Sequence, residues 1–145
     1  MSKYKFDTVT SNKYCNENMD IVKPSKCYDN VWNLFNIMPN DFDILFCYIE
    51  HPQLPSIYFK HCVYVNKSNE IIDVTLPLLN SDISLYNELD LIIIKRFSKS
   101  EYLEALSDSM VNGYSSTDLE VYLKKEEVNI KNKLLSENKY VLEMS

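Results

Sequence analysis

A single glycine, Gly113, has to serve all 145 residues of this chain. Tight turns that need a positive φ normally fall to glycine, which has no Cβ to clash. Here they must be made by Asn, Asp and Ser, with Pro setting the turns of negative φ. The restriction makes the breaks between elements readable. Pro24-Ser25, Pro39, His51-Pro52-Gln53-Leu54-Pro55 and Asn66-Lys67-Ser68-Asn69 separate apolar runs of defined period.

Residues 1–23 are polar with scattered aromatics and read as an irregular arm. Residues 26–38 read as a helix, because Cys27, Val31, Leu34, Phe35 and Met38 fall on one helical face. Ser25 is its expected N-cap, and Pro39 ends it. Asp43 to Glu50 reads as a buried strand and Ser56 to Val65 as the clearest strand, rich in β-branched and aromatic residues. Glu70 to Leu76 is the return strand, with Asn in the turn where a positive φ is needed. Pro77 to Glu88 reads as a loop, and Leu89 to Phe97 as a strand buried on both faces. Ser98-Lys99-Ser100-Glu101 has capping-box spacing ahead of a helix carrying Tyr102, Leu103, Leu106 and Met110, with Gly113 placed to end it. Thr117-Asp118-Leu119-Glu120 repeats that spacing ahead of a last helix carrying Leu119, Tyr122, Leu123, Ile130, Leu134 and Leu135.

The sequence therefore predicts one α+β domain: an arm over about 1–23, a core over about 24–97 and a helical part over about 98–145. In the core a helix packs on an antiparallel sheet, and two helices follow. Hydrophobic residues make up 46%, and 11 Tyr, 6 Phe and 1 Trp supply large side chains for a core. The net charge of -6 argues against general binding to a nucleic-acid backbone. Apolar runs such as Leu91-Ile92-Ile93-Ile94 are too short to span a bilayer, and the N-terminus has no apolar signal-peptide core. A cytoplasmic location is expected, with Cys15, Cys27, Cys47 and Cys62 reduced. The cysteines form no Cys-x-x-Cys pair, and neighbours His61 and Cys62 would point to opposite faces of a strand. No metal or cofactor is expected.

Three residues point to chemistry. Cys27 lies at a helix start, His61 in a strand and Asp73 in the return strand. A cysteine nucleophile acts as the thiolate, an imidazole can pair with it, and a carboxylate can fix the imidazole. His61 alternates with Ile57, Phe59, Val63 and Val65, so it belongs to the apolar face expected to pack on the Cys27 helix. A hairpin loop of three or five residues would put His61 and Asp73 opposite one another on the same face, whereas an even loop would separate them. Asn30 and Thr75 are the expected supporting residues, the first bracing the start of the helix or the strand next to it and the second bonding Asp73. The backbone N–H of Cys27 is a candidate oxyanion donor.

The stretch from Pro24 to Leu106 resembles small phage and bacterial proteins of the papain-like or transglutaminase-like kind. The likeness lies in Lys26-Cys27-Tyr28-Asp29-Asn30, Cys47-Tyr48-Ile49-Glu50, His61-Cys62-Val63 and Glu70-Ile71-Ile72-Asp73-Val74-Thr75. The chain departs from that pattern in having no tryptophan after the histidine and no glycine in the hairpin turn. The resemblance implies a cysteine peptidase, amidase or transglutaminase-like acyltransferase with a Cys27-His61-Asp73 triad, acting on a protein or peptide such as a component of a phage host. The alternative it implies is an inactive relative that binds and blocks a host protein.

Overall fold

The computed structural model describes residues 3–114 and 116–142; the outer ends of the arm and of the helical part, and Ser115, lie outside them. The chain is α+β. Its elements are β1 (Lys5–Phe6), α1 (Thr8–Glu17), α2 (Cys27–Asn33), β2 (Asp43–His51), β3 (Leu54–Val65), β4 (Glu70–Ile72), β5 (Leu91–Phe97), α3 (Lys99–Val111), α4 (Lys124–Ser136) and β6 (Tyr140–Leu142). The sheet runs β1-β4-β3-β2-β5, with β6 also on β3. Strands near both ends of the chain thus join one sheet. It is mixed rather than antiparallel throughout, because β1 pairs with β4, and β6 with β3, in parallel.

The arm is not irregular. Asp7 caps α1, its carboxylate accepting from the Thr10 N–H at 3.0 Å. The helix buries only Ser11 and Cys15, so the periodic apolar stripe that marks a helix in sequence is absent.

The shortage of glycine is met as the turns require. Asn69 and Asn138, both at φ 60, take left-handed positions, as do Ser25, Ser56 and Leu119; Gly113 at φ 87 follows α3. In the β3–β4 hairpin the Asn66 N–H donates to the Glu70 carbonyl at 3.0 Å, and the Asn69 N–H to the Asn66 carbonyl at 3.1 Å. Residues 67–69 therefore form an odd loop, closed by an asparagine in the αL conformation. The register pairs Tyr64 with Ile72 and Val65 with Ile71.

Four expected boundaries move. Ser25 does not cap α2: it is left-handed, Lys26 is the N-cap without a side-chain bond, and the helix stops at Asn33. Irregular turns carry the chain on to Met38, while Val31, Leu34 and Met38 remain buried as the periodicity requires. The return strand ends at Ile72, where Asp73 turns the chain. The stretch read as a loop holds two 3₁₀ turns, Leu76–Leu78 and Ile83–Glu88. The second capping box does not open a helix; α4 begins at Lys124, and the Thr117 hydroxyl instead donates to Asp29 Oδ1 at 2.7 Å. The first box forms as expected, with Ser98 and Glu101 bonding each other's backbone N–H.

The sheet separates two cores. One holds Val31, Leu34, Phe46, Tyr64, Tyr102 and Leu134 beneath α2, α3 and α4. The other holds Leu45, Val63, Val65 and Ile71 beneath Phe6, Leu76 and Ile83. Among the described residues no helix is long and apolar enough to cross a membrane.

Candidate active site

His61 and Asp73 meet in the second of these cores. His61 Nε2 lies 2.6 Å from Asp73 Oδ2, and the two residues are only 3% and 1% exposed. The odd hairpin loop puts them on one face, as the triad requires. They are diagonal rather than directly opposite, because the Tyr64–Ile72 register aligns position 63, not 61, with 73.

Asp73 is held from every side. Its Oδ1 accepts from the N–H groups of Thr75 at 2.8 Å and Leu76 at 2.9 Å, and its own N–H donates to Ser11 Oγ at 2.9 Å. Those bonds leave Oδ2 to face the imidazole. Asn30 then ties this segment to the Cys27 helix. Its Nδ2 donates to Thr75 Oγ1 and to the Lys23 carbonyl, both at 2.9 Å, while its Oδ1 accepts the Lys23 N–H at 2.9 Å. Thus Asn30 braces the helix, and Thr75 holds Asp73 through its backbone while its hydroxyl receives Asn30. The Tyr64 hydroxyl adds a further tie to the Val31 carbonyl.

Cys27 approaches by an unexpected route. It belongs to the core under α2 with Cys62 and Tyr64, not to the face of His61. The expectation that the His61 face packs on the Cys27 helix is therefore wrong. An interruption in the edge of β3 reconciles the two positions. Among the described residues, on the side away from β2, β4 pairs at Tyr64 and Val65, and β6 at residues 57–59. Among the described residues, 60–63 have no strand partner on that edge, and α2 packs against β3. Cys27 and His61 consequently line the same cavity, of about 440 Å³. With Nε2 held by Asp73, Nδ1 is the ring nitrogen left for the thiol.

Burial alone would lower the His61 pKa, but Asp73 and then Cys27 outweigh it and raise it from 6.5 to about 10. The ring therefore carries its proton at neutral pH. Burial, followed by Asp73, raises Cys15; burial pushes Cys47 and Cys62 well above the ordinary value of 9.0, with Asp73 and Cys27 respectively the next contributors. His51, which also lines the cavity, accepts the Gln53 N–H at Nδ1, 3.0 Å away. Among the described residues no three His, Cys, Asp or Glu side chains converge as metal ligands would.

Sequence reading missed Ser11. Its only signal is Asp7, three residues ahead of Thr10 and suited to cap a helix. Ser11→Ala would leave the buried Asp73 N–H without its acceptor and is expected to cost about 1–3 kcal/mol, read from urea denaturation; an unchanged midpoint would refute that role.

Comparisons with family models, with curated proteins and with solved structures find no match for this chain.

Proposed function

We propose that this chain is a cysteine-dependent acyl-transfer enzyme with a papain-like or transglutaminase-like core, acting on a protein or peptide. Cys27 is its nucleophile, His61 its proton carrier and Asp73 the group that orients His61. The observation that carries the reading is the buried 2.6 Å contact between His61 and Asp73 on a cavity that also receives a thiol. Buried charged groups are costly unless paired, and such pairs with perturbed titration gather at functional sites.

The chemistry follows from the positions. The Cys27 sulfur, as thiolate, attacks a carbonyl carbon, forming an S–C bond and pushing the π electrons onto oxygen. The N–H groups in the first turn of α2 have no side-chain cap from Lys26, which leaves the Cys27 N–H to receive that oxyanion. Collapse expels the amine or thiol leaving group, which takes the His61 proton, and a thioester remains. Water or an acceptor amine then gives a proton to His61 and takes the acyl group as the S–C bond breaks, restoring the thiolate–imidazolium pair. Water gives hydrolysis and an amine gives transfer. The cross-braced carboxylate and open cavity favour this reading over that of an inactive binding protein.

Alkylation tests it. At pH 6, iodoacetamide is expected to label Cys27 well ahead of Cys15, Cys47 and Cys62, with mass spectrometry identifying the site, and His61→Ala is expected to remove the preference. Equal labelling of all four cysteines would sink the proposal.

A further inference from the structure

One wall of the cavity comes from Leu76, Leu79, Asn80, Leu85 and Tyr86, in the stretch between β4 and β5. Leu76 and Ile83 turn inward and anchor it, at 4% and 0% exposed. The Phe6 N–H also donates to Asn87 Oδ1 at 2.7 Å. Leu78 packs against the first core, whereas Leu79 and Leu85 belong to neither core and line the cavity at 69% and 38% exposed. Phe59, edge-on to His61 at 5.6 Å, and Tyr86 continue the apolar surface. Large apolar side chains left in water at the mouth of a cavity are the usual mark of a site that a ligand covers.

The polar groups narrow the choice of ligand. Among the described residues no carboxylate lines this cavity. Its one lysine, Lys60, sends its ammonium to Glu127 and the Asp118 carbonyl, both at 2.8 Å, in the direction of α4. A cationic side chain would find no counter-charge there, and an anionic one would find a lysine already paired. Ser25, Gln53 and Asn80 supply neutral groups suited to a peptide backbone.

Resting on the assignment of Cys27 as nucleophile, we infer that the acyl donor carries a large uncharged apolar side chain beside the reacting carbonyl, seated on Phe59, Leu79, Leu85 and Tyr86. Peptidyl chloromethyl ketones test this on the full chain, since the Cys27 sulfur displaces chloride and stays bonded to the probe's methylene carbon. Probes ending in Leu or Phe are expected to label Cys27 about 10-fold faster than those ending in Lys or Asp. Leu79→Asp, at an exposed position, is expected to slow the Leu probe and speed the Lys probe. Equal rates for the four probes, while iodoacetamide still selects Cys27, would overturn the specificity alone. Iodoacetamide failing to select Cys27 would overturn the assignment beneath it. An unchanged Leu-to-Lys ratio in Leu79→Asp would overturn the role of that wall.

Discussion

Asp73→Asn is expected to leave the fold in place and to slow alkylation of Cys27 at pH 6 by about 100-fold, the lower end of what a positioned acid–base partner supplies. The reason lies in the donors around the carboxylate. Thr75 and Leu76 hold Oδ1 with two N–H groups, so the carbonyl oxygen of an asparagine stays with them and its amide nitrogen turns to His61. An N–H donor at that point needs a lone pair on Nε2. The proton then sits on Nδ1 of a neutral ring, and the charge facing Cys27 is gone. An unchanged alkylation rate would show that Asp73 serves the turn and not the thiol.

The same variant has a signature in stability. The folded pKa of His61, about 10, lies above its ordinary value of 6.5. A raised pKa contributes stability that is complete below pH 6.5 and lost as the pH rises toward 10. The wild-type denaturation midpoint is therefore expected to fall across that interval. Asp73→Asn, lacking the carboxylate that raises the imidazole, is expected to flatten the fall. A wild-type midpoint that is level from pH 6.5 to 10 would contradict the charged state assigned to His61.

How far the site could be read from sequence depends on the range of the forces that build it. Alternation along β3 and the asparagine turn are local, so the shared face of His61 and Asp73 follows from the sequence once the loop is odd. The route of Cys27 is not local. It depends on β4 stopping at Ile72 and, among the described residues, on β6 joining β3 at residues 57–59. No periodicity marks either event. The strand ends because the Asp73 side chain takes the Thr75 and Leu76 N–H groups away from a ladder, the kind of competition that Asp, Asn and Ser introduce. Helix α1 was hidden for a related reason: it buries a serine and a cysteine in place of an apolar stripe. Thr117-Asp118-Leu119-Glu120 had the spacing of a capping box, but Thr117 bonds Asp29 across the fold. The tertiary bond took precedence over the local one.

Beside the site, Lys60 connects the stability of the helical layer to the strand that carries His61. Its ammonium lies 2.8 Å from Glu127 Oε2 and 5.4 Å from the centre of the Tyr28 ring, while Glu127 Oε1 accepts the Tyr48 hydroxyl at 3.1 Å. The side chains of the ion pair are only 13% and 7% exposed. Glu127→Ala removes the one carboxylate bonded to that ammonium among the described residues and is expected to destabilise the protein by about 3–5 kcal/mol. The double variant Lys60→Met, Glu127→Leu removes both charges while keeping apolar volume, and is expected to recover most of that loss, since replacing a buried pair with packed hydrophobes is often neutral. Urea denaturation of the three proteins separates the cases. A loss below about 1 kcal/mol in Glu127→Ala would place the pair in the range of solvated surface bridges. A double variant as unstable as the single one would show that the ion pair itself, and not the burial of an uncompensated ammonium, holds α4 to β3.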